Sequence, residues 1–163
     1  MTGRLKITKG WALFLDRDGV INHRINDNYV KHPDDFIFIP GVKEALALLS
    51  EKFDPVIIVT NQQGIGRSLM TTEQLSAVHQ KMTDEIAAAG GRIDAIFFSP
   101  DLKNTRSFTR KPAVGMGLKA RKQFPSISFK RSVMVGDTFG DILFGHRLGM
   151  VTVLIGNDKD VVL

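Results

Sequence analysis

Five short apolar segments, separated by polar loops and helix-like stretches, constrain the fold of this chain most strongly. They lie at residues 12–15, 56–59, 93–98, 132–135 and 151–155. The second of them reads Val-Ile-Ile-Val, and this unbroken β-branched run predicts a strand that is covered on both faces. Strands that alternate with helices predict an α/β fold: a Rossmann-like parallel sheet with right-handed crossovers and helices on both faces.

Helices are predicted between the apolar segments from the spacing of their apolar residues. In residues 42–49 these recur at i, i+3, i+4 and i+7. A longer helix begins near a possible capping box of Thr71 and Gln74 and stops at Gly90. Residues 114–124 predict a further helix, and a short one precedes the last strand. His79 and His146 lie within helical patterns, and we interpret both as ordinary helix residues.

Length and composition limit the classes of protein that the chain can belong to. Its 163 residues predict one domain, 1–163, and without cysteine it can form neither a disulfide nor a thiolate metal site. No apolar run approaches the roughly 18 residues of a membrane span. The net charge of +5 is spread along the chain rather than massed in one block. We therefore expect a cytoplasmic monomer without a membrane partner.

Polar clusters follow four of the predicted strands. Because the carboxyl ends of parallel strands meet at one edge of a sheet, clusters far apart in sequence are expected to form one site there. Residues i and i+2 of an extended segment point the same way, so the first two carboxylates should converge. The clusters are Asp16 with Asp18, Thr60 with Asn61, Arg110 with Lys111, and Asp137 with Asp141.

The chemistry of these clusters favours a site for phosphate and Mg²⁺. Several carboxylates packed together repel one another unless a cation joins them, and hard oxygen ligands favour Mg²⁺ over zinc. Lys111 and Thr60 supply a positive charge and a hydroxyl donor for an anion. Asp16 is placed to attack phosphorus and form an aspartyl-phosphate, and Asp18 to act as acid and base.

Each motif alone also has a purely structural explanation. Asp-x-Asp-Gly is a common surface turn, and Thr60 with Asn61 could cap a helix. Residues 63–66 could form a flexible turn. Asp141 could be the N-cap of the helix that follows it instead of a residue near a metal. The order of the clusters, each at the end of a predicted strand, favours the functional interpretation.

In that order, the clusters resemble the four motifs of the haloacid dehalogenase-like phosphohydrolases, and the resemblance covers nearly the whole chain. Longer segments are similar to the D-glycero-D-manno-heptose 1,7-bisphosphate 7-phosphatases and the related histidinol-phosphate phosphatases. These segments are residues 14–22, 29–30, 36–42, 60–67 and 110–112. The resemblance implies an Mg²⁺-dependent phosphatase of a small phosphorylated metabolite, with a heptose 1,7-bisphosphate as its expected substrate.

The resemblance also assigns roles to residues of this chain. Asp16, Asp18 and Asp137 would bind the metal ion, with Asp141 in support, and Thr60, Arg110 and Lys111 would hold the phosphoryl group. The residues expected to touch the substrate are Asn26, Asp27, Asn28, Tyr29, Asn61, Gln62 and Gln63. Many relatives carry a Cys/His zinc loop before Arg-Lys-Pro, whereas residues 99–109 contain neither Cys nor His, so no structural zinc is expected. The spacing of the motifs leaves no room for a large cap domain.

The alternatives to a heptose-bisphosphate phosphatase are a phosphatase with another substrate and a protein that is not an enzyme. Another small metabolite such as histidinol phosphate could be the substrate. Residues 61–67, 110–112 and 115–116 also resemble the phosphatase domain of polynucleotide kinase/phosphatases, although no aromatic residues are interleaved with a basic groove for stacking bases, so nucleic acid is not expected. A receiver-like phospho-switch also joins Asp, Thr and Lys around Mg²⁺. Its acceptor aspartate lies on a later strand than its acidic pair, unlike Asp16.

Overall fold

The strand β1 (Ala12–Leu15) lies at the centre of a five-stranded sheet. The computed structural model describes residues 5–156. All four strand pairs are parallel, and the strand order is β3-β2-β1-β4-β5. The other strands are β2 (Val56–Asn61), β3 (Ala95–Ser99), β4 (Ser132–Gly136) and β5 (Val151–Leu154). The predicted parallel α/β sheet is therefore confirmed.

Five helices connect the strands. They are α1 (Val42–Lys52), α2 (Gln63–Gly66), α3 (Thr72–Ala88), α4 (Gly115–Gln123) and α5 (Phe139–Leu148), with short 3-10 turns at Pro33–Asp35 and Phe129–Arg131. The capping box of Thr71 and Gln74 is confirmed. Helix α2 shows that the interpretation of residues 63–66 as a flexible turn is wrong. Gly64 lies so close to the Tyr29 ring and the Met70 sulfur that a side chain would not fit there.

Helices cover both faces of the sheet because successive strand residues point in opposite directions. Leu13 and Leu15 of β1 pack in one cluster with α1 and α3, whereas Ala12 and Phe14 pack in a second cluster with α4 and α5. Buried side chains of β2 divide between the two clusters in the same way. The sheet is thus a rigid support, and its carboxyl edge is left for the loops.

Loops rather than a second domain lie over the carboxyl edge of the sheet. Within residues 5–156, the long connections on this side are residues 16–41 and 100–114, and neither holds a separate cap. No helix of this part of the chain combines the length and the apolarity needed to cross a membrane. That residues 1–163 form one domain stays a prediction, because both ends lie outside the described residues.

Candidate active site

Asp16 directly follows β1 and is nearly buried at the carboxyl edge. Its N–H donates to the carbonyl of Val135 at 3.0 Å, which continues the pairing of β1 with β4 past the end of the strand. Its side-chain Oδ1 accepts a hydrogen bond from Lys111 Nζ at 2.8 Å. The rigid sheet therefore fixes this carboxylate, and a lysine from a distant loop holds one of its oxygens.

Lys111 reaches Asp16 because Asn61, at the end of β2, holds its backbone. The Asn61 side chain accepts from the Lys111 N–H at 2.9 Å and donates to the Lys111 carbonyl at 3.1 Å. The Lys111 ammonium, which is almost fully buried, donates to Asp16 Oδ1 and to Asp141 Oδ1 at 2.6 Å. The structure thus brings together predicted residues from all four clusters.

Asp141 lies in the first turn of α5 and is not the N-cap of that helix. Thr138 is the N-cap of α5, and Asp141 stands three residues on, in a capping box with Thr138. Asp141 Oδ2 accepts from the backbone N–H groups of Asp137 and Thr138 and from the Thr138 hydroxyl, while Oδ1 accepts from Lys111. The N-cap interpretation of Asp141 is therefore wrong. Its carboxylate is occupied in joining α5 to Lys111.

Burial dominates the electrostatics of Asp16. Burial, together with the charge of Asp141, raises the pKa of Asp16 to about 7, although the Lys111 ammonium opposes this shift. Burial also disfavours the charged form of Lys111, but the two carboxylates beside it raise the pKa of Lys111. The ammonium therefore stays charged between two carboxyl groups. A further cation would stabilise the ionised form of Asp16.

Asp18 is held by three side chains that donate to its carboxylate. Asn22 and Arg17 donate to Oδ1 at 2.9 Å each, and Gln62 donates to Oδ2 at 3.0 Å. Burial acts against ionisation, but the Arg17 charge and these hydrogen bonds outweigh it and lower the pKa of Asp18. Asp18 is therefore a carboxylate whose orientation is fixed by its neighbours.

Arg17 and His79 form a buried pair that sequence reasoning missed. Arg17 is 0% exposed, and its Nη1 lies 3.1 Å from His79 Nε2 on α3. Arginine has no acceptor, so the His79 nitrogen must be unprotonated and accept the hydrogen bond. Burial, helped by the Arg17 charge, lowers the pKa of His79 to about 3. His79 is therefore more than an ordinary helix residue, since it orients the arginine that holds Asp18.

Three carboxylates form an acidic cluster at the edge. One oxygen each of Asp16, Asp137 and Asp141 lie within 4.8 Å of one another. The Asp18 carboxylate points elsewhere, toward Arg17. Gly19 has a φ of +86°, and any side chain there would overlap the Asp137 carboxylate. Burial raises the pKa of Asp137, although Arg24 opposes it. Closely spaced hard oxygens of this kind fit Mg²⁺.

Arg24 faces the acidic cluster from the loop that follows β1, and nothing in its local sequence pattern indicated this. Its Nη2 lies 3.1 Å from the Asp18 carbonyl oxygen, 3.1 Å from both carboxylate oxygens of Asp137, and 4.0 Å from Asp16 Oδ2. Its side chain is 48% exposed. One guanidinium nitrogen thus contacts groups from the ends of two strands.

A cavity of about 920 Å³ opens above these residues. All seven residues expected to touch substrate line it, as do Asp16, Asp18, Arg110, Lys111 and Asp141. Thr60 differs: its side chain is buried beneath the cavity, and its hydroxyl accepts from Gln62 at 2.9 Å. The structure therefore places the predicted loop, amide and cationic residues around one space, with Thr60 one layer below.

In the segment before Arg110, polar side chains form a network of hydrogen bonds around Asp101. Asp101 Oδ2 accepts from the hydroxyls of Ser107, at 2.6 Å, and Thr109, at 3.2 Å. Ser107 Oγ in turn accepts from the Arg110 N–H at 2.8 Å, and Arg110 Nη1 donates to the Asp101 carbonyl at 3.2 Å. These hydrogen bonds orient Arg110 toward the cavity. The richness of this segment in Ser, Thr and Asp was the one available sequence signal.

Comparison with known proteins identifies the family. The family model described as polynucleotide kinase 3 phosphatase matches residues 12–160. The chain is 34% identical to the D-glycero-alpha-D-manno-heptose-1,7-bisphosphate 7-phosphatase of Mycobacterium bovis, over 85% of this chain and 73% of that protein. It is 37% identical to the D-glycero-beta-D-manno-heptose-1,7-bisphosphate 7-phosphatase of Vibrio cholerae, over 92% and 83% of the two proteins.

A solved structure agrees with this relationship. The D,D-heptose 1,7-bisphosphate phosphatase from B. bronchiseptica, complexed with magnesium and phosphate, superposes with a TM-score of 0.82 at 34% identity. The match covers 88% of this chain and 79% of that one. The chain therefore belongs to the haloacid dehalogenase-like phosphatases, in the family that includes the D-glycero-manno-heptose-1,7-bisphosphate 7-phosphatases.

Proposed function

We propose that this chain is an Mg²⁺-dependent phosphatase that hydrolyses a heptose 1,7-bisphosphate at its 7-phosphate through an aspartyl-phosphate. The observation that carries the proposal is the buried Asp16 carboxylate, which Lys111 holds at 2.8 Å at the end of the central strand. A carboxylate fixed in this way is suited to attack phosphorus. The relatives named as heptose-bisphosphate phosphatases support the choice of substrate.

In the first step an oxygen of Asp16 forms a bond to phosphorus, and the bond from phosphorus to the sugar oxygen breaks. The sugar oxygen takes a proton from the Asp18 carboxyl group and leaves as an alcohol. In the second step Asp18 removes a proton from water, whose oxygen attacks phosphorus and releases Asp16 and inorganic phosphate. For the first step Asp18 must carry a proton, so its hydrogen bonds with Arg17 and Gln62 must loosen as the substrate enters.

The residues that would hold Mg²⁺ are Asp16 and Asp137 through their carboxylates and Asp18 through its main-chain carbonyl. These three groups already converge on one cationic nitrogen, that of Arg24. When bound, the ion would supply positive charge against the phosphoryl oxygens. Asp141 supports this arrangement because its Oδ1 accepts from Lys111 while its Oδ2 accepts from the Thr138 hydroxyl at the start of α5.

The phosphoryl group would be held by Lys111 and Arg110. Lys111 stands beside Asp16, and Arg110 lines the cavity next to it. Thr60 stays a prediction for this role: it is buried, and its hydroxyl accepts from Gln62 but keeps its own hydrogen for donation. Arg67 and Arg110 also line the cavity and add two positive charges to that of Lys111. This additional charge suits a ligand with a second phosphate. Asn26, Asp27, Asn28 and Tyr29, with Asn61, Gln62 and Gln63, would contact the sugar.

A phosphate-release assay with Mg²⁺ tests the proposal. The substrates are the α and β anomers of D-glycero-D-manno-heptose 1,7-bisphosphate, a hexose bisphosphate, histidinol phosphate and a 3′-phosphorylated oligonucleotide. Both anomers are needed because the two named relatives differ in the anomer in their names. We expect the highest kcat/KM on one heptose anomer. A higher kcat/KM on histidinol phosphate or the hexose would contradict the proposed substrate but not the phosphatase chemistry.

A polynucleotide 3′-phosphatase is the second candidate, because the matching family model carries that description. Preferential dephosphorylation of the oligonucleotide, with a KM that rises steeply with salt, would favour it. A receiver-like switch predicts instead that the protein becomes stably phosphorylated without releasing phosphate. Burst kinetics followed by steady turnover would exclude the switch.

We also propose that the enzyme acts as a monomer in the cytoplasm. The absence of cysteine is in keeping with a reducing compartment. Light scattering of the purified chain at assay concentration measures the mass. A dimer would contradict the first part, and localisation of a tagged chain to another compartment would contradict the second.

A further inference from the structure

Arg24 occupies the centre of the acidic groups that the proposed function assigns to the metal ion. Its Nη2 contacts the Asp18 carbonyl and both Asp137 oxygens at 3.1 Å, and it lies 4.0 Å from Asp16 Oδ2. A single cationic nitrogen beside two carboxylates and a carbonyl supplies part of the positive charge that a bound divalent ion would supply. The acidic groups therefore have a partner within the chain itself.

The side chain of Arg24 is able to leave this position. It is 48% exposed, whereas the Asp16 and Asp137 side chains are 8% and 17% exposed. The half-exposed guanidinium can return to water when it leaves, and the cation that replaces it supplies the positive charge that the two mostly buried carboxylates need. A divalent ion placed among the same oxygens gains more from their charge than a monovalent guanidinium does.

The backbone before Arg24 is anchored by hydrogen bonds, and the residues after it lead into the substrate cavity. The preceding residue, His23, donates its N–H to the Ile37 carbonyl at 2.9 Å, and Asn22 forms bridges to Asp18 and Phe38. The residues that follow, 25–29, line the substrate cavity. A movement of Arg24 would therefore reach the segment that is proposed to touch the sugar, while the Asp-x-Asp-Gly turn stays in place.

We propose that Arg24 is an internal counter-ion that holds Asp137 and Asp16 together before the metal binds, and that Mg²⁺ must displace its side chain. This inference rests on the proposed function, because it concerns the same acidic groups. Under this proposal, the affinity for Mg²⁺ depends on the loop that carries Arg24 as well as on the carboxylates of Asp16 and Asp137. Arg24 is thus a positioning residue that competes with the cofactor.

Titration calorimetry with MgCl₂ tests this competition on the full chain without substrate. Arg24→Met removes the charge and keeps the length of the side chain, and it is expected to bind Mg²⁺ about three- to tenfold more tightly than the wild type. Arg24→Lys restores a cation and should return the affinity toward the wild-type value. Arg67→Met is the matched control, because Arg67 lines the same cavity but donates to Tyr29 Oη.

Thermal unfolding gives a second readout that does not depend on activity. Without Mg²⁺, Arg24→Met should melt about 1–3 °C below the wild type, because Asp137 and Asp16 lose their counter-ion; saturating Mg²⁺ should remove the difference. Equal or weaker Mg²⁺ binding by Arg24→Met, or an unchanged metal-free melting temperature, would overturn the inference alone. No Mg²⁺ binding by any of the four proteins would overturn the proposed metal site, and this inference with it.

Discussion

The Nη1 atom of Arg17 and the Nε2 atom of His79 lie 3.1 Å apart, although 62 positions separate these residues in the sequence. The contact connects α3 to the turn that carries Asp18. Arg17 also donates hydrogen bonds to both oxygens of the Asp18 carboxylate, so it links His79 to Asp18. Because the arginine can only donate, the contact exists only while His79 is neutral. The protonation of a helix residue thus affects the orientation of a carboxylate in the active site.

Stability should depend on pH through His79. Its pKa is about 3 in the folded chain and 6.5 when unperturbed, so the unfolded state binds the proton between these values. The stabilisation is complete above pH 6.5 and is lost as the pH falls toward 3, by at most about 1.4 kcal/mol per pH unit. His79→Gln can still accept from Arg17 but does not titrate. Urea unfolding at several pH values measures the difference between the two proteins.

That difference isolates His79 from the other groups that titrate in the same range. The difference in unfolding free energy between the wild type and His79→Gln should be constant above pH 6.5. Below pH 6.5 the wild type should lose stability relative to the variant as the pH falls. A difference that stays the same from pH 7.5 to pH 4.5 would show that the Arg17–His79 contact does not require a neutral imidazole.

Asp16→Asn should abolish phosphate release and leave the fold intact. The substitution removes the proposed nucleophile but keeps the shape of the side chain, and Lys111 retains Asp141 as a partner. We expect kcat to fall by at least about 10³-fold. Phosphate release and circular dichroism measure the two effects. The exposed Asp34→Asn is the control for loss of one carboxylate, and substantial turnover by Asp16→Asn would exclude Asp16 as the nucleophile.

Asp101→Ala should raise KM more than it lowers kcat. Asp101 touches no reacting atom, but its carboxylate holds the hydroxyls of Ser107 and Thr109, and Ser107 Oγ in turn accepts from the Arg110 N–H. Its loss should loosen Arg110 and weaken substrate binding by about five- to fiftyfold, as for the loss of a few hydrogen bonds. Steady-state kinetics measure the effects on KM and on kcat separately. Asp101→Asn keeps an acceptor and should recover part of the affinity, and Asn104→Ala in the same segment should have no effect.

An equal fall of kcat and kcat/KM in Asp101→Ala would contradict this positioning role. It would indicate that the segment contributes to the chemical step instead.

Chelation should abolish activity without unfolding the protein. The two core clusters consist of apolar side chains, and Lys111 and Arg24 already neutralise part of the acidic charge. EDTA should therefore stop phosphate release, Mg²⁺ should restore it, and the melting temperature should change by only about a few degrees. Unfolding on chelation would reveal a structural metal, and full activity in EDTA would exclude Mg²⁺ from the mechanism.

Local sequence patterns predicted the strands and most of the helices because those elements depend on nearby residues. Runs such as residues 56–59 are apolar at every position, and the Thr71 capping box is complete within four residues. Local information was insufficient where two residues compete for one role. Thr138 rather than Asp141 became the N-cap of α5, since the Asp141 carboxylate also meets Lys111 from a distant loop.

The parts of the site that could not be predicted all depend on contacts between distant segments. Arg24 and Asp137 are 113 positions apart, and no spacing rule relates them. His79 has the same local pattern whether it faces a core or an arginine. Strand ends in a parallel sheet are the exception, because topology alone brings them to one edge. For that reason Asp16, Asn61, Lys111 and Asp137 were found together.

The amide of Asn61 binds both backbone groups of Lys111, and this has an evolutionary consequence. The lysine is thus held directly by a residue at the end of a central strand, and residues 100–110, which precede it, take no part in these two hydrogen bonds. Insertions, deletions or a different set of stabilising side chains could accumulate in that segment and change which molecules are accepted. The lysine would still meet Asp16. The fold thus allows new substrates to be acquired without rebuilding the machinery that cleaves them.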